Sequence, residues 1–104
     1  MKKNKMCGDT IVCADGFSIS LRASSRHYCE PRNNEGPYTE VEAGLPSVRE
    51  KLLMAFAEDP TRPTKTVYGY VPSEVVLEVL LKHGGFISGN LPPMVVASSK
   101  HSVK

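Results

Sequence analysis

At 104 residues the chain has room for one hydrophobic core, and 40% apolar with 23% charged residues is the composition of a globular domain. No apolar run approaches the ~18 residues that cross a bilayer, which excludes a membrane-spanning helix. Thirteen basic against eleven acidic side chains give a formal +2, too small to mark a nucleic-acid binder.

The charge is unevenly placed. Lys2, Lys3, Lys5, Lys100 and Lys104 lie near the ends; without them eight basic residues face eleven acids, so the body carries −3. Residues 1–8 and 97–104 read as flexible ends around a single domain over 9–96. The basic start lacks a secretory apolar core, because Thr10–Ala14 is stopped at once by Asp15-Gly16. Cys7, Cys13 and Cys29 form an odd set that does not close a disulfide framework. Both features point to a reducing cytoplasm.

In chain order, Thr10–Ala14 and Phe17–Ala23 predict a hairpin, with Asp15-Gly16 suited to a two-residue type I′ turn. Phe17, Ile19, Leu21 and Ala23 alternate with Ser18, Ser20 and Arg22, the pattern of a half-buried antiparallel strand. His27-Tyr28-Cys29 extends the sheet or opens a short strand, and residues 32–37 are turn formers. A second alternating strand follows over Tyr38–Ala43. Ser47-Val48-Arg49-Glu50 fits a capping box, predicting a helix over 48–58, although Leu52, Met54 and Phe56 also fit a strand. Lys65–Val71 is the next strand, with Val67, Gly69 and Val71 on one face and Thr66, Tyr68 and Tyr70 on the other. Ser73 caps a helix over Glu74–Lys82, closed by Gly84-Gly85.

That helix is apolar over about 240° of its circumference, more than one core-facing side requires. It must be covered on several sides, with residues 86–96 the candidate wrap, or part of it belongs to a homodimer interface. The expected architecture is α+β: a small antiparallel sheet of about four strands with one or two helices packed on it.

Catalytic and metal signals are weak. Cys7, Cys13, His27 and Cys29 have zinc-ligand chemistry but no Cys-x2-4-Cys spacing, and buried free cysteine is commonly a small hydrophobe. His27 and Cys29 are the residues a small metal- or ligand-binding domain would use, but no metal or cofactor is called for. His83 suits a helix C-terminus and His101 lies in the tail. Gly84, Gly85 and Gly89 end a helix instead of opening one, so a phosphate cradle is absent. No enzyme is indicated. The tyrosines carry more: Tyr68 and Tyr70 share a strand face, with Tyr28 and Tyr38 on neighbouring segments and Glu40 and Glu42 pointing outward. The set is either a protein-binding patch or a second layer of the core beneath residues 48–58. The predicted contact surface is Tyr38, Glu40, Glu42, Tyr68 and Tyr70.

Three stretches, Ala14-Asp15-Gly16-Phe17-Ser18-Ile19-Ser20, Gly36-Pro37-Tyr38-Thr39-Glu40-Val41-Glu42 and Thr66-Val67-Tyr68-Gly69-Tyr70-Val71-Pro72, resemble in order and spacing small uncharacterised proteins of bacteriophages and prophages. The resemblance covers roughly residues 10–93 and supplies no functional residues. It implies an accessory protein in the bacterial host cytoplasm. Small proteins of that setting often bind and block a host protein, anti-CRISPR proteins being one class. The expectation is therefore a non-enzymatic inhibitor of a host protein or complex, with nucleic acid and membrane disfavoured as direct partners.

Overall fold

In the computed structural model residues 8–96 are described. The predicted hairpin forms from β1 (Asp9–Cys13) and β2 (Ser18–Arg22), with Ile11 opposite Ile19. Phe17, Ile19, Leu21 and Ala23 are all buried, as their alternation requires. The turn differs from a two-residue I′ connection. Cys13 N–H donates to Phe17 O (2.8 Å) and Gly16 N–H to Cys13 O (3.0 Å), so three residues connect the strands. Only Gly16 takes positive φ (95°), the αL position of a turn closed by a glycine bulge. Asp15 accepts the Phe17 N–H on Oδ1 (2.9 Å), which holds this turn in place of the tighter one.

β3 (Glu40–Gly44), β4 (Val67–Pro72) and β5 (Phe86–Ser88) complete a five-stranded antiparallel sheet in the order β4-β3-β2-β1-β5. The fold is α+β, with one more strand than expected. Helix α1 (Ser73–Lys82) follows β4 directly and leads through three residues into β5, so it crosses the sheet from one edge to the other. Its ten residues span about 15 Å, about three interstrand gaps of ~4.8 Å, and the three residues that follow reach the remaining strand. Val76, Val79 and Leu80 pack with Leu53 over Ile19, Leu21 and Ala43.

Local capping follows tertiary demands. Ser73 is inside α1, not at its cap: its Oγ donates to Tyr38 O (3.0 Å), and Pro72 holds the cap position. The C-terminus is as read. Gly84 and Gly85 have positive φ and donate to Leu81 O (3.0 Å) and Leu80 O (2.7 Å), a Schellman closure. Residues 48–58 form neither a three-turn α-helix nor a strand but a 3₁₀ helix over Lys51–Phe56. Ser47 Oγ accepts Ser18 N–H (3.0 Å) instead of capping, while Glu50 takes the cap and accepts Leu52 N–H (2.9 Å). The segment is pinned to Ser18 through Ser47 and to Tyr68 through Ala57, and the 3₁₀ helix takes up six of the residues between these anchors.

β4 carries a bulge that changes which side chains go inward. Val41 opposes Val71, yet Ala43 opposes Tyr68, leaving an extra residue at Gly69-Tyr70. Tyr70 has φ 53°, and the inward sequence becomes Tyr68 then Val71. Tyr68 and Tyr70 therefore do not share a face.

The expected wrap over 86–96 is partial. Leu91 and Met94 pack on the core, but Phe86–Ser88 is an exposed edge strand, and Leu77 and Leu81 of α1 remain exposed. Gly89 (φ 102°) lets the chain leave β5 against β1, where a Cβ would sit 2.4 Å from Thr10 O. Gly89→Ala is expected to destabilise the fold by more than about 1 kcal/mol, read as a lowered urea midpoint; an unchanged midpoint would show that β5 contributes nothing. The flexible ends expected over 1–8 and 97–104 lie outside the described residues, except Gly8. Gly8 sits against the Leu21 carbonyl and Pro92. No helix among the described residues is long and apolar enough to cross a membrane.

Candidate functional site

The bulge in β4 decides which tyrosines face solvent. Tyr68 is fully buried and its hydroxyl donates to Pro63 O. Tyr38 is fully buried too, its hydroxyl donating to Asn33 O (2.7 Å). Neither side chain forms part of an exposed contact surface, which corrects two of the five predicted residues. Large rings with a satisfied hydroxyl are stable core elements, so burial carries no polar penalty here. Tyr70 is 43% exposed, and Glu40 and Glu42 are partly exposed on the sheet face away from α1.

Tyr28 takes the place that Tyr68 vacates. It is 42% exposed, and its ring lies 5.8 Å from that of Tyr70 at 35°. The main chain fastens the pair: Tyr70 N–H donates to Tyr28 O (2.9 Å), and Tyr28 N–H donates to Glu42 Oε1 (3.0 Å). Gly69 admits Tyr28, since a Cβ there would stand only 3.2 Å from Tyr28 Cβ. Arg32 places its guanidinium carbon 5.7 Å from the Tyr28 ring centroid, within cation–π range. An open groove of about 300 Å³ adjoins the pair, lined by Tyr28, Gly69 and Tyr70 with Ala55, Phe56, Ala57 and Glu58. The arrangement offers aromatic area, two phenolic hydroxyls and nearby carboxylates on backbone held by hydrogen bonds.

A second cluster was invisible as a unit in the sequence. His83, at the end of α1, places Nε2 2.7 Å from Glu50 Oε1 and Nδ1 2.7 Å from Asp15 Oδ2. Lys82 Nζ donates to Glu50 Oε2 at 2.8 Å. Phe17 stacks on the imidazole, with centroids 4.0 Å apart and planes at 10°. Burial alone would push the Glu50 carboxyl up, but Lys82, the Leu52 amide and His83 outweigh it and hold it below the ordinary carboxylate range. Burial likewise works against a charged His83, yet the carboxylates of Glu50 and Asp15 prevail and raise its pKa. The Phe17 amide first, and then His83, lower Asp15.

When protonated, the His83 ring can donate to both carboxylates at once. Through these contacts it clamps together the β1–β2 turn, the 3₁₀ helix and the end of α1. An open depression of about 340 Å³ beside it is lined by Asp15, Gly16, Phe17, Ser47, Val48 and His83. Sequence reading assigns each member a local role: Asp15 to the turn, Glu50 to a cap, His83 to the helix dipole. The partners of His83 are 33 and 68 residues away, and only the fold joins them.

His27 and Cys29, the alternative ligand pair, both turn to Ser24. His27 Nδ1 is 2.7 Å from Ser24 Oγ, and Cys29 Sγ donates to Ser24 O (3.1 Å). Burial pushes the Cys29 thiol up, away from the thiolate a metal needs. Among the described residues no group of three or more His, Cys, Asp or Glu is placed to hold a metal ion. Cys7 and His101 lie outside the described residues. Comparison with protein-family models, curated proteins and solved structures finds no match.

Proposed function

We propose that this chain acts by binding another protein through the Tyr28–Tyr70 pair with Glu40 and Glu42, without catalysis, and that the partner presents basic side chains. The observation that carries the reading is the tyrosine pair itself, two rings more than 40% exposed yet fixed by main-chain hydrogen bonds beside a carboxylate. Rigid exposed tyrosines give a large contact area at small entropic cost. Glu42, Glu40 and Glu58 would favour approach of arginine or lysine, and an arginine could stack on the Tyr70 ring, Arg32 already lying over Tyr28. The resemblance to phage and prophage accessory proteins supports a host protein in the bacterial cytoplasm as the target, blocked by occupancy. A CRISPR-Cas defence complex is one target of that kind.

The test is affinity capture from lysates of several host strains with the parent chain and the Tyr28→Ala/Tyr70→Ala variant in parallel, followed by titration against any purified partner. The double variant should bind about 2 kcal/mol more weakly, roughly thirtyfold, if the pair anchors the contact. Equal binding by a folded double variant, or no protein retained above background in any strain, would sink the reading.

A further inference from the structure

The groove beside the tyrosine pair is built at a cost to the backbone. Tyr70 has φ 53°, in the left-handed region where glycine is at ease and a large side chain is strained. Glycine stands instead at position 69, where a Cβ would come 3.2 Å from Tyr28 Cβ. A strand that only had to pair would place glycine at the strained position. This one places its glycine where Tyr28 must approach and an aromatic ring where the strain falls, and the product is the outward Tyr28–Tyr70 pair.

The surroundings define what such a pair takes. Ala55, Phe56 and Ala57 form an apolar wall of the groove, and Glu58 is the one charged residue that lines it. Glu58 is exposed, and among the described residues its carboxylate has no ion-pair or hydrogen-bond partner. Glu42, whose Oε1 accepts the Tyr28 N–H, adds a second carboxylate at the pair. The chain already seats one guanidinium here, that of Arg32 over Tyr28, while no cation among the described residues lies over Tyr70. At about 300 Å³ the groove stands at the lower limit of the ~300–1,000 Å³ of small-ligand sites, room for one long side chain.

We propose that this groove is a socket for one arginine side chain of the partner protein, stacked on Tyr70 and paired with Glu58. The methylene stem of that arginine lies along Phe56 and Ala57. Arginine fits where lysine does not. A planar, weakly hydrated guanidinium can stack on a ring while its fork of N–H donors meets a carboxylate, whereas the lysine ammonium is a compact, strongly hydrated point charge. Glu58 is thereby the residue that sets specificity. The socket rests on the tyrosine-pair reading above and narrows its basic partner to one that presents an arginine.

Titration of the full chain with N-acetyl-arginine methylamide at low salt, followed by amide NMR shifts, tests the socket. Saturable shifts are expected at Glu58, Gly69 and Tyr70, with a Kd on the order of tens of millimolar, the scale of one cation–π contact and one ion pair. The lysine counterpart should bind at least about threefold more weakly, and the neutral citrulline counterpart should give no saturable shift. Glu58→Gln should weaken the arginine probe at least about threefold. Tyr70→Gly suits the positive φ, so it should fold like the parent and lose the shifts. An arginine probe without saturable shifts at these residues, lysine or citrulline binding as well as arginine, or a folded Glu58→Gln or Tyr70→Gly chain that takes the probe like the parent would overturn the socket. The protein-binding reading fails on a different result, a folded Tyr28→Ala/Tyr70→Ala chain that holds its partner as tightly as the parent.

Discussion

Tyr68→Ala is expected to lower the free energy of unfolding by about 3–5 kcal/mol, the usual cost of deleting a buried aromatic ring. Tyr70→Ala, two residues away, should change it by less than about 1 kcal/mol. The contrast follows from the bulge at Gly69-Tyr70. It turns Tyr68 into the core beneath the 3₁₀ helix, where its hydroxyl satisfies Pro63 O, and leaves Tyr70 outside on Tyr28. Removing Tyr68 opens a cavity and strands a carbonyl as well. A domain of this size has about 5–15 kcal/mol in total, so the variant would be poorly folded at room temperature. Urea unfolding of the two variants measures both values. Equal losses would mean that β4 has no bulge and that the two tyrosines share a face after all.

Glu50→Ala is the second large effect, about 3 kcal/mol, at the low end for breaking a buried ion pair because Lys82 is half exposed and can return to water. His83 cannot do so as easily: its side chain is 12% exposed and stacked on Phe17, and it would keep only Asp15. Lys82→Ala should cost under about 1 kcal/mol for the same reason. The clamp also gives stability a defined pH dependence. His83 is raised by folding, so its contribution is complete below its ordinary value of 6.5 and is lost as pH rises through its higher folded value. Glu50 and Asp15 are lowered by folding, so theirs is complete above their ordinary values of 4.5 and 3.8 and is lost as pH falls through the lower folded values. The clamp is strongest where these windows overlap, between 4.5 and 6.5. Melting temperature measured across pH should therefore peak in that interval and lose the peak in His83→Ala. A profile identical to that of the parent would show that the imidazolium contributes nothing.

Much of the fold is legible in local pattern. Strict alternation of Phe17, Ile19, Leu21 and Ala23 with polar neighbours admits only a strand with one buried face, and that is where they lie. Gly84-Gly85 after an apolar helical run admits only a C-terminal closure. The candidate site is less legible because it turns on parity. One extra residue in β4 exchanges the faces of everything beyond it, and its one local signal is Gly69 itself, a glycine inside a strand pattern, which marks a bulge without fixing where the parity changes. Period-two reading therefore puts Tyr68 beside Tyr70. Ser47 and Ser73 fail as caps for a related reason: a hydroxyl satisfies whichever backbone group the fold brings nearest, here Ser18 N–H and Tyr38 O.

By itself the sequence determined the α+β class, the hairpin, the buried face of β2, the span and closure of α1 and the excess of apolar surface on that helix. Each rests on interactions within a few residues, or on a periodicity that one element must obey throughout. The tertiary structure alone decided which tyrosines are exposed, which groups the Glu50 carboxylate and the His83 nitrogens meet, and that Leu77 and Leu81 stay exposed instead of lying under residues 86–96. Those outcomes depend on groups tens of residues apart competing for the same hydrogen bonds and the same buried volume, a competition settled only when the whole core packs.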